Sequence, residues 1–209
     1  MYAIKEIYYT IQGEGVHAGK PAIFCRFSGC NLWSGLEKDR TSAVCQFCDT
    51  DFWGTDGVNG GKYSASELVE KCTLLWPKDS NATPFVVCTG GEPLLQLDTP
   101  LINRFHAAMF YIAIETNGTL DIPPGIDWVC VSPKAGANTI VKKGDELKLV
   151  YPQEGLDPKD FEEWDFKHFS LQPMDNENIG DNTEKALQYC LQHPKWNLSI
   201  QVHKILNIP

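Results

Sequence analysis

The 209-residue sequence predicts an α/β fold built on a mostly parallel sheet. Short runs of β-branched and aromatic residues alternate with helical patterns along the chain, which is typical of right-handed β-α-β units. Several of these runs are apolar on both alternating faces, as in a parallel sheet that helices cover. Because the helical patterns are few, the sequence does not predict a complete eight-fold β/α barrel.

Seven apolar runs are predicted as strands, at residues 22–27, 85–88, 111–115, 128–131, 147–151, 168–171 and 198–202. Helices are predicted at residues 64–76, 99–109 and 182–192, with a shorter one at 157–164. The first begins at Ser64, which has Glu67 three residues on, and this pair predicts a capping box. The stretch from about 28 to 63 lacks periodicity and is predicted as a long functional loop.

The composition predicts a folded protein that acts on a small molecule. Hydrophobic residues make up 43% of the chain and charged residues 22%, as in ordinary globular proteins. The net charge of −9 argues against nucleic acid as a partner, because phosphates require a basic face. No targeting pattern or membrane-spanning stretch is found, so we expect one domain, residues 1–209, in the cytoplasm.

The chain has eight cysteines, and the spacing of three of them indicates a metal centre. In a reducing compartment such residues are packing residues, metal ligands or reactive thiols rather than disulfides. Cys30 is followed after fourteen residues by Cys45 and Cys48, which form a Cys-x-x-Cys pair. The pair can direct two thiolates at one centre, and Cys30 can fold back as the third ligand.

Spacing alone leaves the identity of this centre open. A structural zinc site normally requires four protein ligands, and no fourth is obvious, because Cys72, Cys88, Cys130 and Cys190 lie in apolar patterns. Three thiolates without a fourth fit an iron-sulfur cluster with one iron open to another ligand. Zinc, a thiol redox pair and simple packing remain alternatives.

Polar groups follow several of the predicted strands. The block from Thr89 to Pro93, Thr-Gly-Gly-Glu-Pro, comes directly after an apolar strand, where ligands bind in parallel α/β folds. Its paired glycines let the backbone approach a ligand closely. Further polar groups follow at residues 115–118, 132–134 and 172–175. The sequence therefore predicts a ligand site at the carboxyl edge of the sheet.

The chain resembles the 7-carboxy-7-deazaguanine synthases of the radical S-adenosylmethionine (SAM) superfamily. The usual signature of the superfamily spaces its cysteines three and two residues apart, and in one branch of these synthases the first gap is expanded to fourteen, as here. The resemblance covers nearly the whole chain. The matching segments are YYTIQGEG, FCRFSGCNLW, CQFCDTDF, VVCTGGEPLLQ, IAIETNG, CVSPK, ELKLV, LQPMD and QVHKILNIP.

The resemblance implies a partial parallel β/α barrel of the radical SAM type with a modified cluster-binding loop. It implies that Cys30, Cys45 and Cys48 hold a [4Fe-4S] cluster, which donates an electron to SAM and releases a 5′-deoxyadenosyl radical. The residues implied to contact SAM are Phe47, Cys48, Asp49, Gly91, Glu115, Ser132, Pro133, Lys134, Gln172, Pro173, Met174 and Asp175. For Glu115, a buried structural carboxylate is an equal alternative.

The same resemblance implies that the substrate is 6-carboxy-5,6,7,8-tetrahydropterin, converted to 7-carboxy-7-deazaguanine with loss of ammonia on the way to queuosine. The residues implied to line its site are Ile11, Gln12, Gly13, Arg26, Thr89 and Pro209. Arg26 is the natural partner for the substrate carboxylate, because a guanidinium can pair with both oxygens. We expect His203 to be structural.

A divalent metal and two protein partners are also implied. Mg2+ would take Thr50 as its protein ligand, and it prefers oxygen ligands while keeping several waters. The implied partners are an electron donor such as flavodoxin and a second copy of the chain in a homodimer.

Two rival functions are weighed against this one. A glycyl-radical activating enzyme also combines three clustered cysteines with a Gly-Gly-Glu-Pro strand end, but the expanded cysteine gap and the QGEG start argue against it. The other rival is a non-catalytic binding module stapled by zinc.

Overall fold

Nine strands form one sheet in the computed structural model, which describes residues 1–209. The strands are β1 Tyr2–Ile11, β2 Pro21–Phe27, β3 Gly61–Tyr63, β4 Phe85–Gly90, β5 Tyr111–Thr116, β6 Trp128–Val131, β7 Lys143–Tyr151, β8 Asp165–Pro173 and β9 Trp196–Leu198. The α-helices are α1 Ala65–Leu75, α2 Thr99–Ala107, α3 Ile179–Gln192 and α4 Val202–Leu206. The predicted α/β class is confirmed, and the helices are too few for a complete barrel.

The sheet is parallel over most of its width. Its order is β3-β1-β2-β4-β5-β6-β7-β8-β9, and each neighbouring pair from β2 to β9 is parallel. Only β1 runs antiparallel to its neighbours, β2 and β3. Because parallel strands end at the same edge, the loops after β4 to β8 meet there.

The two faces of the sheet differ in chemistry. On one face, α1 and α2 pack over the strands around buried side chains such as Ile23, Phe105 and Ile112. Farther along, Leu147 and Leu171 are buried beneath α3 on the same face. The opposite face carries charged and polar side chains near the carboxyl ends of the strands. The prediction that several strands are apolar on both faces is confirmed for β4 and β5, where Val87 and Ala113 are buried on the second face. It does not extend to β7, in which Glu146 and Lys148 alternate with leucines.

Two element predictions are corrected by the structure. Residues 198–202 do not form a strand, because β9 ends at Leu198 and Val202 begins α4. The Val202 amide donates to the Gly13 carbonyl oxygen at 2.9 Å, so this apolar run docks on the first turn of the chain rather than extending the ladder. The helix predicted at 157–164 is a short 3-10 helix, Pro158–Phe161.

The other predicted elements differ less from those in the structure. The helix predicted from residue 182 begins at Ile179. The long strand β1 was not among the predicted strands, because its charged residues interrupt the apolar alternation. Between residues 28 and 60 the backbone is largely irregular, as predicted, apart from a 3-10 helix at Glu37–Ser42. No helix in the structure combines the length and apolar character needed to cross a bilayer.

The predicted capping box of α1 is confirmed. The Glu67 amide donates to Ser64 Oγ at 3.3 Å, and the Ser64 amide donates to the Glu67 carboxylate at 2.8 Å. Ser64→Ala is expected to lower the free energy of unfolding by about 1 kcal/mol, measured by urea denaturation, because one helix amide loses its partner. Ser66→Ala is the matched control, since Ser66 is exposed in the same turn. An equal loss in both variants would contradict the role of the cap.

Candidate active site

A cavity of about 1000 Å³, open mouth included, lies at the carboxyl edge of the sheet. The three cysteines of the predicted cluster site, Cys30, Cys45 and Cys48, all line it. The predicted SAM contacts that line the same cavity are Phe47, Cys48, Asp49, Gly91, Glu115, Ser132, Lys134, Gln172, Pro173, Met174 and Asp175. Pro133 is buried between its neighbours and does not line the cavity.

Backbone hydrogen bonds bring the two cysteine segments together. The Leu32 carbonyl oxygen accepts from the amides of Val44 at 3.1 Å and Cys45 at 3.4 Å, which folds the second segment back on Cys30. Burial raises the pKa of the Cys30 and Cys45 thiols. The amides of Leu32 and Trp33 oppose this at Cys30 by favouring the thiolate, and Leu32 N lies 3.4 Å from Cys30 Sγ. Amides directed at sulfur are one means of tuning iron-sulfur clusters.

The Gly-Gly-Glu-Pro turn packs directly against the first cysteine. A Cβ at Gly91 would lie 2.7 Å from Cys30 Cβ, so this approach requires glycine. Glu92 is fully buried, and its carboxylate accepts a hydrogen bond from Thr116 Oγ1 at 2.8 Å. The Glu92 amide donates to the Gly29 carbonyl oxygen at 2.9 Å. Glu92 thus ties β5 to the cysteine segment and leaves the backbone of Gly91 at the cavity.

The donor set fits an iron-sulfur cluster better than a single metal ion. No three His, Cys, Asp or Glu side chains approach closely enough to hold one ion. A structural zinc ion needs four ligands around one centre, whereas in a cluster each thiolate binds its own iron. The other five cysteines are free thiols that do not line the cavity, so a fourth thiol ligand is lacking there.

A buried lysine bridges two carboxylates deep in the cavity. Lys148 Nζ lies 2.7 Å from Glu14 Oε2 and 2.9 Å from Glu115 Oε2. Burial alone would lower the pKa of Lys148, but the two carboxylates raise it above its ordinary value. Burial raises the pKa of Glu115, and Lys148 only partly offsets this. At Glu14 burial is again the largest single influence and raises the pKa, but Lys148, Gln201 and His203 together outweigh it and lower the pKa to about 2.

This ion pair predicts a loss of stability in acid. Glu14 has a lowered pKa when folded, so it contributes stability above its ordinary pKa of 4.5 and loses it as the pH falls towards 2. Between about pH 6 and pH 3, wild type is expected to lose about 2 kcal/mol more unfolding free energy than Glu14→Gln. Urea denaturation of both proteins at each pH measures the difference. Identical acid losses would show that Glu14 is not the group responsible.

A second cavity, of about 940 Å³, adjoins the first. All six residues predicted to line the substrate site line it: Ile11, Gln12, Gly13, Arg26, Thr89 and Pro209. Arg26 Nε donates to Glu6 Oε1 at 2.8 Å, and Nη2 donates to the Tyr8 hydroxyl at 3.0 Å. Tyr8 stacks on Phe24 with ring centroids 5.6 Å apart. These neighbours hold one side of the guanidinium and leave Nη1 without a protein partner.

The two cavities share a wall, and the last residues of the chain dock beside it. Residues lining both are Glu14, Asp49, Thr50, Thr89, Glu115 and Gln201. Lys204 pairs with Asp49 at 2.6 Å and also with Asp175, which ties α4 to the cysteine loop and to β8. Thr10 Oγ1 donates to the Pro209 carbonyl oxygen at 2.9 Å. His203, expected to be structural, lines the second cavity.

Several residues at this wall or next to it make contacts that the sequence did not predict. Lys148 carried a signal, because a charged residue between two leucines of a strand faces away from the apolar core. For Glu14, the sequence indicated that the Gln and Glu of the QGEG block could read the hydrogen-bonding edge of a pterin, but it did not predict the ion pair with Lys148. Gln201 and Lys204 had no such signal, since their place depends on how α4 docks.

The fold and the site define the class of protein. No family model matches the chain. A crystal structure of QueE from Escherichia coli is 29% identical, with a TM-score of 0.72 over 97% of this chain and 94% of that one. A partial barrel with a mostly parallel open sheet and three clustered thiols at its carboxyl edge is the architecture of a radical SAM enzyme.

Curated relatives narrow the class to a family. The 7-carboxy-7-deazaguanine synthase of Burkholderia multivorans is 59% identical over 100% of this chain and 99% of the relative. The synthase of Bradyrhizobium diazoefficiens is 56% identical over 99% of each. The chain belongs to the 7-carboxy-7-deazaguanine synthase family. This confirms the resemblance found in the sequence and disfavours both the glycyl-radical activating enzyme and the zinc module.

Proposed function

We propose that this chain converts 6-carboxy-5,6,7,8-tetrahydropterin to 7-carboxy-7-deazaguanine with loss of ammonia, as a step towards queuosine and related 7-deazapurines. The observation that carries the proposal is the pair of adjoining cavities. One is lined by three cysteine thiols, the other by Arg26, and Glu115 and Thr89 belong to both. Family membership over the whole chain supports the same reaction.

The first cavity is proposed as the cofactor site. Cys30, Cys45 and Cys48 would hold a [4Fe-4S] cluster, and the SAM contacts predicted from the sequence would surround the open corner. When bound, cluster and SAM supply the one-electron chemistry that starts the reaction. The chain provides the setting: Gly91 offers bare backbone beside Cys30, and Lys134 Nζ is held by Ser132 Oγ at 2.6 Å.

The second cavity is proposed as the substrate site. Arg26 lines this cavity and is oriented by Glu6 and Tyr8, and its Nη1, which has no protein partner, is available to the substrate carboxylate. The stacked rings of Tyr8 and Phe24 provide a flat apolar surface beside it. Holding an anion at one fixed point orients the bicyclic ring towards the shared wall, which lowers the entropic part of the barrier.

Proton transfer is proposed to take place at the wall that the two cavities share. Ring contraction with loss of ammonia requires a proton to leave carbon and another to reach the departing nitrogen. Glu115 lines both cavities, and its raised pKa suits it to accept and return a proton at Oε1. Gln12 Nε2 lies 3.3 Å from this oxygen, and Lys148 holds Oε2 at 2.9 Å. These two contacts fix the orientation of the Glu115 carboxylate and therefore the direction of the remaining lone pairs on Oε1.

Thr50 is proposed as the protein ligand of Mg2+. It lines both cavities, and the carboxylates on either side are already paired, Asp49 with Lys204 at 2.6 Å and Asp51 with Lys5 at 2.8 Å. The Thr50 hydroxyl makes only a long hydrogen bond, as donor to Asp49 Oδ1 at 3.4 Å, so the lone pairs of its oxygen stay available to a metal. A metal there would orient the substrate carboxylate and stabilise developing charge.

Thr50→Ala is expected to lower kcat by about tenfold or more and to remove the stimulation by added Mg2+, because the metal loses its only protein oxygen. Steady-state assays across a Mg2+ titration measure both effects. Thr55→Ala is the control, since Thr55 lines neither cavity. Unchanged turnover and metal dependence in Thr50→Ala would rule out this ligand.

The remaining parts of the proposal concern the domain organisation, the protein partners and the cellular location. We propose a single domain over residues 1–209, a homodimer, an electron donor such as flavodoxin, and a cytoplasmic location. The eight free cysteines support a reducing compartment, and family membership supports the partners.

The test is anaerobic incubation of the iron-reconstituted protein with SAM, a reductant, Mg2+ and 6-carboxytetrahydropterin. A brown protein with a visible charge-transfer band that forms the deazapurine is the expected result. A colourless protein that contains stoichiometric zinc and forms no product would instead support the binding module.

A further inference from the structure

The fourteen residues between Cys30 and Cys45 do more than connect two ligands. They include a 3-10 helix, Glu37–Ser42, that lies beside the cysteine loop. Arg40, on this helix, reaches the segment that carries the other two cysteines. Its Nη1 donates to the carbonyl oxygen of Gln46 at 2.9 Å and to that of Cys48 at 3.1 Å. One side chain of the insertion therefore contacts the Cys45-to-Cys48 turn twice.

The remaining edge and one face of the same guanidinium are also occupied. Arg40 Nε and Nη2 donate to the two oxygens of Glu37 at 2.8 and 2.5 Å, a bidentate pair. The guanidinium carbon lies 4.0 Å from the centroid of the Trp33 ring. Trp33 is buried and packs edge-on against the fully buried Phe52, with centroids 5.4 Å apart. Arg40 is thus held in one orientation by a wall anchored in the core.

These contacts of Arg40 affect the charge around the two cysteines of the turn. A cluster held by this turn becomes more negative on reduction, and the carbonyl oxygens of Gln46 and Cys48 already carry partial negative charge there. A fixed cation on two such oxygens offsets this, and reduction potentials of clusters respond to nearby charge and hydrogen bonds. Lysine cannot reproduce the arrangement, because its single ammonium cannot engage Glu37 and both carbonyl oxygens in one plane.

We propose that Arg40 is a positioning residue for the Cys45-to-Cys48 turn, and that its fixed charge raises the reduction potential of the cluster this turn holds. The proposal rests on the cluster assigned under the proposed function. The proposal assigns a role to the expanded cysteine gap, because the inserted residues bring a cation to the Cys45-to-Cys48 turn from outside the cavity.

The test compares Arg40→Ala with Lys38→Ala in the reconstituted holoprotein. Lys38 is exposed on the same 3-10 helix and takes part in none of the ion pairs of this segment, so both variants lose one positive charge but only one loses the carbonyl contacts. The readouts are the rate of iron release to a chelator and the midpoint potential of the cluster. Circular dichroism confirms that each variant is folded.

Arg40→Ala is expected to release iron at least about tenfold faster than wild type, since the loss of even one hydrogen bond to a charged donor has that effect, and to show a lower potential. Lys38→Ala is expected to match wild type in both. Arg40→Lys should keep more of the wild-type potential than Arg40→Ala, because it retains the charge. Equal behaviour of Arg40→Ala and Lys38→Ala would overturn the inference, whereas failure of wild type to bind iron would overturn the proposed function itself.

Discussion

Replacing Cys45 with serine is expected to abolish cluster assembly and to lower turnover by more than about a thousandfold. Cys45 is buried at the cavity wall, where the Leu32 carbonyl oxygen holds its amide. The five remaining cysteines lie outside the cavity, so none can take its place as a ligand. Iron content and the visible charge-transfer band after anaerobic reconstitution measure the loss directly, and product formation measures its consequence.

Cys190→Ser is the matched control for this prediction. Cys190 is a half-buried free thiol on α3, packed against the core beneath that helix. We expect this variant to bind iron and turn over like wild type. Full iron loading and activity in Cys45→Ser would show that the three thiols do not form the cluster site.

Replacing Lys148 with methionine is expected to lower the free energy of unfolding by about 3 kcal/mol and to cut turnover severely. The substitution leaves Glu14 and Glu115 buried together without a counter-charge, although Gln201 still donates to Glu14 at 2.8 Å. Two adjacent buried carboxylates cannot both stay ionised, so the pKa of at least one must rise. The geometry of the shared wall is then lost along with its charge.

Two further variants separate the charge effect from simple loss of packing. Lys167→Met removes a lysine that is 72% exposed and pairs with Asp145, and it is expected to leave stability nearly unchanged. The double variant Lys148→Met with Glu115→Gln should regain part of the lost stability, because one uncompensated charge disappears. Urea denaturation of all four proteins gives the comparison. No recovery in the double variant would mean that packing, not charge, accounts for the loss.

The sequence predicted the fold wherever local pattern and tertiary packing agree. The strand at Trp128–Val131 and the start of α1 at its capping box follow directly from apolar runs and a cap signal. The prediction failed where tertiary contacts decide. Residues 198–202 look like a strand, yet Val202 begins a helix because its amide bonds to Gly13, far away in the chain.

In the candidate site, too, some residues could be predicted from local pattern and others depend on tertiary contacts. The three cysteines and the strand ends could be predicted because their spacing and position carry chemical meaning. The role of Lys148 could not, since its partners Glu14, just after β1, and Glu115, near the end of β5, are far from it in the chain and meet it only in the folded protein. The contact of Lys204 with Asp49 and Asp175 likewise depends on the docking of α4, which no local periodicity specifies.

The wall common to both cavities also bears on inhibitor design. Thr89 and Glu115 line both cavities, so the sites proposed for the adenosyl group of SAM and for the pterin share these two side chains as a common boundary. A compound that tethers an adenosyl group to a pterin-like ring through a short linker could occupy both at once. Its second half would bind at a high effective concentration, so its affinity should exceed that of either fragment by orders of magnitude.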